Sequence, residues 1–251
     1  MYFTIIIPTY NSANTIKAAI DSVLMQSFTS FEIVLLDACS TDTTIQIAKS
    51  FNDTRIIIHS EKDNGVYDAM NKGITYATGD IIGILNSDDF YPGENIIEEV
   101  VKIFNTTNCD ALYGDLVFVD SVQTNKIYRK WIAGSYSDQL FLKGWMPPHP
   151  TFFVRKEIYN QYGKFNTTLK SSADYELMVR LLYLHKIKVG YLHGTLVHMR
   201  IGGQSTKSLS NRLKANYEDY QAWRLNSLKP KWYTLLLKPI RKIKQFYFPK
   251  F

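Results

Sequence analysis

Apolar residues fall along this chain in two rhythms. Short apolar runs at Phe3–Ile7, Phe31–Leu36, Arg55–Ile58 and Ile81–Leu85 read as strands, the last of the kind that a parallel sheet covers on both faces. Between them Ile16, Ala19, Ile20, Val23 and Leu24 recur at helical spacing behind Asn14, a candidate cap. Ser40-Thr41-Asp42 opens a helix to about Phe51, and Gly65–Ala77 reads as a third helix. Strands alternating with helices predict βαβ units, a largely parallel sheet and a doubly wound half of the nucleotide-binding type.

Past a helix at about Asn95–Phe104 the pattern changes. Ala111–Val119 and Lys126–Ile132 predict strands of a more antiparallel region, and Gly144-Trp145-Met146-Pro147-Pro148-His149-Pro150 is a loop that helix cannot enter. A strand at Thr151–Val154, a helix at Lys156–Tyr162 and a last strand at Lys188–Leu192 are expected. Ser171-Ser172-Ala173-Asp174 precedes an amphipathic helix carrying Leu177, Met178, Leu181, Leu182 and Leu184. A Gly202-Gly203-Gln204-Ser205 loop leads to a long helix, Leu209–Leu228.

Polar residues interrupt this pattern at the strand ends, where ligands of open α/β sheets bind. Asp37 follows the second strand, Asp63-Asn64-Gly65 the third, and Asn86-Ser87-Asp88-Asp89 the fourth. Adjacent carboxylates repel and are relieved by a cation, and oxygen donors suit Mg²⁺ or Mn²⁺. The plainer alternative is that Asp88 or Asp89 caps the next helix. Asp174 carries the same ambiguity, as a cap or as a functional carboxylate. No Gly-x-Gly-x-x-Gly or Gly-x-x-x-x-Gly-Lys follows the first strand, which argues against a dehydrogenase or P-loop NTPase.

Composition narrows the setting. With 251 residues, 45% of them hydrophobic, the chain can bury a sizeable core. Cys39 and Cys109 make no disulfide framework, so a reducing compartment is expected. The start reads as a first strand, with neither a signal peptide nor a membrane span. Seven of the 29 basic residues lie in 229–251, which holds no acidic one; removing them leaves 22 against 23 acidic residues. The near-neutral body argues against nucleic-acid binding. In the tail, Trp232, Leu236, Ile240, Ile243 and Tyr247 form a stripe from which Lys238, Arg241 and Lys242 fall away. It reads as a basic amphipathic helix on an anionic membrane surface, kinked or divided at Pro239, or as a helix packed back on the domain with its charges solvated.

Pro8-Thr9-Tyr10-Asn11, Asp37-Ala38-Cys39-Ser40-Thr41-Asp42 and Asn86-Ser87-Asp88-Asp89 together resemble the markers of family 2 glycosyltransferases. Glu61-Lys62-Asp63-Asn64-Gly65, Asn71-Lys72-Gly73 and Ser172-Ala173-Asp174-Tyr175-Glu176-Leu177 extend the resemblance over roughly residues 3–205. It implies a GT-A fold: a Rossmann-like, mixed but mainly parallel sheet flanked by helices. A nucleotide-sugar half (1–105), an acceptor half (106–205) and a C-terminal helix with its basic tail (206–251) would follow one another. The activity implied is inverting transfer from a nucleotide-diphosphate sugar, a UDP-sugar first, with Mg²⁺ or Mn²⁺. On the same resemblance Asp37 would hold the base, Asp88 the ribose and Asp89 the metal, and Asp174 would be the catalytic base. Thr9 and Tyr10 would border the base pocket, with Asn11, Asp63 and Lys72 among the donor-binding residues. Asn86 stands where many members carry the first Asp of an Asp-x-Asp, and Ala38-Cys39 replaces a commoner Gly/Ser pair.

The expectation is a transferase acting at the cytoplasmic face of a membrane, on a lipid-linked or oligosaccharide acceptor. A sugar-nucleotide nucleotidyltransferase and a catalytically silent membrane-bound scaffold are the rivals. His149 and Trp145 are candidates for the acceptor cleft, and His198 for a metal or phosphate ligand; packing is the alternative for each.

Overall fold

In the computed structural model, which describes residues 1–202 and 209–246, one eight-stranded sheet runs through the protein. The first half supplies β1 (Phe3–Thr9), α1 (Ile16–Leu24), β2 (Phe31–Asp37), α2 (Thr44–Ser50), β3 (Ile56–Ser60), α3 (Val66–Tyr76), β4 (Ile81–Ile84) and α4 (Ile96–Thr107). The second half supplies β5 (Ala111–Val119), β6 (Ile127–Trp131), α5 (Asp138–Leu142), β7 (Phe153–Arg155), α6 (Lys156–Tyr162), α7 (Ala173–Met178), β8 (Val189–Arg200), α8 (Leu209–Leu225) and α9 (Thr234–Ile243). The strand order is β3-β2-β1-β4-β7-β5-β6, with β8 paired to β5. The pairs β1–β2, β1–β4, β2–β3 and β5–β8 are parallel, while β4–β7, β5–β7 and β5–β6 are antiparallel.

Side-chain alternation along the buried strands feeds two apolar layers. Phe3, Ile5, Ile7, Ile33, Leu35 and Ile81 pack with Ile16, Ile20 and Val23 of α1 and Ile97, Val100 and Phe104 of α4. Ile6, Val34, Leu36 and Ile82 point the other way, onto Met70 and Ile74 of α3 and the residues around α7. Gly73 lets α3 lie close to β1, because a Cβ there would fall 2.5 Å from Ile6 Cγ2.

Several expected boundaries move. Thr151 belongs to a 3₁₀ turn (His149–Thr151), and β7 starts after it. The short helix α5 lies where no element is expected. The helix carrying Leu181 and Leu182 is α-helical only to Met178 and continues as a π-helix over Val179–Leu184. The last strand is far longer than Lys188–Leu192, following β5 to Arg200 through register shifts beside Gly114 and Asp115. α9 runs through Pro239 undivided. Most of the Gly202–Ser205 loop, and Tyr247 of the tail stripe, lie outside the described residues. Among the described residues, no helix is long and apolar enough to cross a membrane.

Candidate active site

Parallel registry brings the first three strand ends into one row. Thr9 lies opposite Asp37, and Asp37 opposite Ser60. Thr9 is buried and its Oγ1 has no hydrogen-bond partner. A buried hydroxyl without a partner costs about 1–3 kcal/mol, a cost that a ligand can lift. Tyr10 is 59% exposed at the mouth of the row. Asn11 takes a left-handed backbone (φ 48°), and its Oδ1 accepts from Thr41 N at 2.9 Å. Its own N–H donates to Ser40 Oγ at 2.8 Å, so the loops after β1 and β2 clasp each other.

Asp37 has a different setting from the one its position suggested. It is buried, and its carboxylate accepts from Ser40 N (3.1 and 3.2 Å), from the Ser40 hydroxyl and from Ser60 Oγ (2.6 Å). Its acceptor positions are spent on the loop. These contacts fix the Asp37 carboxylate at the end of β2 and hold the following loop against it.

Asp63 accepts from Gly65 N at 2.9 Å and so builds the turn into α3. Lys72 Nζ reaches back to Lys62 O (2.6 Å) and Glu61 (3.3 Å), bracing the segment after β3. Both brace the segment between β3 and α3 through these contacts.

Asp88 and Asp89 do not cap a helix, since α4 begins at Ile96 behind Asn95. Asp89 is wholly buried; it accepts from Asn86 Nδ2 at 3.0 Å and from Arg200 N at 3.2 Å. Burial, then the neighbouring Asp88, push its carboxyl up to about 8. Burial also raises Asp88, against the pull of Arg200. Arg200 donates from Nη1 to Asp88 O and lies 4.8 Å over the Phe90 ring. Ser87 joins this loop to the β1 loop through Ser12, Oγ to Oγ at 2.8 Å.

A divalent cation fits this donor set. Two neighbouring carboxyls, both raised by burial and Asp89 further by Asp88, are what such an ion would relieve, with substrate phosphates to complete its shell. Among the described residues, no group of three or more His, Cys, Asp or Glu gathers into a self-sufficient chelate. His198 serves instead to close the sheet: its backbone pairs with Phe90 (2.9 and 3.1 Å), and its ring meets the Phe90 ring edge-on at 5.3 Å.

Asp174 lies in the first turn of α7 but does not cap it. Ser172 holds the N-cap position, and Glu218 of α8 accepts from Ser171 N (2.7 Å) and Ser172 N (3.1 Å). The Asp174 carboxylate is held from the side. Tyr67 Oη donates to its Oδ1 at 2.9 Å, and His149 Nδ1 lies 3.1 Å from its Oδ2. Burial and the adjacent Asp174 raise the Tyr67 hydroxyl far above its ordinary range, which keeps it a donor. A small, mainly apolar cavity adjoins the carboxylate, lined by Met70, Ile84, Phe152, Phe165 and Leu177. Trp145 is not in the cleft: it is buried among Tyr113, Tyr136 and Phe141, and its Nε1 donates to Ala133 O at 2.8 Å.

Sequence reasoning missed Tyr67 and Arg200. Neither belongs to a motif singled out in the sequence, and each reaches the site by tertiary contact.

Residues 4–164 match the family model for glycosyl transferase family 2. A PGL/p-HBAD biosynthesis glycosyltransferase of Mycobacterium bovis (strain BCG / Pasteur 1173P2) is 33% identical over 195 residues, spanning 76% of this chain and 73% of its own. An uncharacterized glycosyltransferase of Rickettsia prowazekii (strain Madrid E) is 30% identical over 226 residues, 86% of this chain and 69% of its own. In fold, the chain resembles S. aureus TarS 1-349 in complex with UDP-GlcNAc, with a TM-score of 0.69 at 20% identity. That match covers 90% of this chain and 65% of the TarS chain. Mannosyltransferase PcManGT from Pyrobaculum calidifontis, in complex with GDP-Man and Mn²⁺, matches with a TM-score of 0.67 at 17% identity, covering 94% of this chain and 67% of that one. A Rossmann-like mixed sheet with acidic strand ends is the GT-A arrangement of nucleotide-sugar enzymes. The chain belongs to glycosyl transferase family 2, enzymes that move a sugar from a nucleotide sugar to an acceptor.

Proposed function

We propose that the enzyme inverts the sugar's anomeric centre in a single displacement, with Asp174 as base. The donor would be a nucleoside-diphosphate sugar, a UDP-sugar first. The acceptor would be a lipid-linked or oligosaccharide hydroxyl at the cytoplasmic face of a membrane. The observation that carries the proposal is the setting of Asp174: released from helix capping, and oriented by Tyr67 and His149 beside a cavity. Inversion needs one carboxylate to take the acceptor proton, whereas a retaining glycosidase needs a second as nucleophile.

In this reaction Asp174 accepts the proton of the acceptor hydroxyl while that oxygen bonds to the anomeric carbon. The bond from that carbon to the diphosphate oxygen breaks, and the nucleoside diphosphate leaves with the electron pair. Thr9 Oγ1 and the loop shaped by Asp37 receive the nucleoside, and Asp88 the ribose. Asp89 would hold a divalent ion, which when bound would supply charge stabilisation for the diphosphate leaving group. Fold neighbours bound to UDP-GlcNAc and to GDP-Man with Mn²⁺ support this donor class.

A panel of sugar nucleotides, with and without Mg²⁺ or Mn²⁺, tests the reading through thermal unfolding. At a hundred times Kd a ligand adds about 2.7 kcal/mol of apparent stability. One donor is expected to raise Tm by several degrees, and more with the ion than without. Protection by none of them would contradict the proposal.

A further inference from the structure

The helix α9 is seated the wrong way round for an amphipathic surface helix. Its inward side is polar. Thr234 is fully buried and its Oγ1 donates to Leu142 O at 2.6 Å. Lys238 Nζ pairs with buried Asp219 at 2.7 Å and lies 3.7 Å over the Tyr175 ring, and Arg241 Nε donates to Lys143 O at 2.8 Å. At Gly144 (φ +73°) a Cβ would fall 2.5 Å from Lys238 N, so the helix backbone rests directly on this loop. The outward side carries large apolar residues: Leu236 is 60% exposed, Ile240 54% and Ile243 57%, in line with Trp232, 84% exposed just before the helix.

Surface helices normally bury such a stripe against their own domain. Here the docking contacts hold it away from the domain. A row of four large exposed apolar side chains marks a contact surface. The charge around it identifies what covers it. Residues 229–251 hold seven basic and no acidic residues, and Lys229 and Lys231 are exposed beside Trp232. Two copies of this surface face to face would bring like charges together. A lipid bilayer with anionic headgroups offers an apolar interior under a negative surface, and a helix of this kind lies flat in that plane with aromatic residues at headgroup level.

We propose that the outward stripe of α9 seats the enzyme in an anionic bilayer. Because Lys238 and Arg241 are engaged by the domain, retention depends chiefly on apolar insertion, with charge second. The seat is built on the catalytic framework: Lys238 packs on Tyr175, the residue after Asp174, and Asp219 follows Glu218, which holds the start of α7. The inference rests on the membrane-side reading of the acceptor and gives it a surface.

Flotation of the full chain with vesicles of phosphatidylcholine and phosphatidylglycerol tests it. Leu236→Ser, Ile240→Ser and Ile243→Ser combined are expected to reduce binding by at least about tenfold, given the apolar surface removed. Lys229→Gln with Lys231→Gln is expected to weaken it only severalfold, and high salt to release only part of the wild type. Transfer to a soluble acceptor analogue is expected to stay unchanged in both variants, which separates the seat from the chemistry. In the wild type, Trp232 fluorescence is expected to be quenched by bromine-labelled lipid, a readout that needs no folding-sensitive variant. Undiminished flotation of the serine variant, or no quenching, would overturn the proposal. So would a vesicle-free dimer that the serine variant converts to monomer, since a second copy would then cover the stripe.

Discussion

Tyr67 Oη and Asp174 Oδ1 are 2.9 Å apart across 107 positions of sequence. This contact ties α3, in the half that forms the acidic strand ends, to α7 in the other half. With His149 on the second oxygen, the carboxylate is fixed between two elements that the sheet holds in place. A positioned base loses less to disorder when the acceptor arrives.

Tyr67→Phe removes the donor and keeps the ring that stacks on Phe165. Hydrogen bonds to charged groups are worth about 1.5–3 kcal/mol, so the transfer rate is expected to fall about tenfold or more with donor affinity unchanged. His149→Ala is expected to act in the same direction, with part of the rate restored by His149→Asn. Steady-state kinetics separating kcat from donor KM make the check. Unchanged kcat in both variants would remove these residues from the positioning of Asp174.

Thr9→Val replaces the unpartnered hydroxyl with a methyl of nearly the same shape. Folding stability is expected to hold or to rise by up to about 1 kcal/mol, because a buried orphan is removed. Donor affinity is expected to fall. Calorimetric titration with the donor, beside thermal unfolding, distinguishes this from a purely structural threonine, whose replacement would leave affinity untouched.

Asp89 bears a stability cost that follows pH. Its folded-state carboxyl sits at about 8, above the roughly 3.9 of an unfolded-chain aspartate. Between these values the native state holds a proton that the unfolded chain has released. Its stabilising contribution is therefore complete below about pH 4 and is lost as pH rises towards 8. Asp89→Asn mimics the protonated form. Without divalent ions it is expected to melt higher than the wild type, by more at pH 8 than at pH 5, and to lose its thermal response to Mn²⁺. Equal melting temperatures at pH 8 would contradict the burial argument.

The first half of the fold was legible because its strands are continuous apolar runs and its helices carry clean periodicity. The second half was less so. β8 is interrupted by His193, Gly194 and Thr195, which look like a turn in sequence, yet they are accommodated by the bulge beside Gly114 and Asp115 of β5. That extension delivers Arg200 to Asp88 and Asp89, and no local pattern announces it. The acidic strand ends were visible as positions but not as environments. Whether the acceptor sites of Asp37 meet a ligand or Ser40 and Ser60 depends on neighbours as much as 23 positions away. The tail stripe was legible, while the face it presents was not, because the polar anchors Leu142 O, Lys143 O and Asp219 belong to other elements.

The central claim is that Asp174 removes the acceptor proton. Asp174→Asn keeps size and geometry, and its amide cannot take a proton at neutral pH. The direct measurement is the single-turnover transfer rate of this variant beside its donor Kd. The expected result is a rate lower by at least about a hundredfold, the scale of general-base catalysis, with donor Kd near that of the wild type. An unchanged rate, or a loss of donor binding that accounts for the whole decline, would contradict the account.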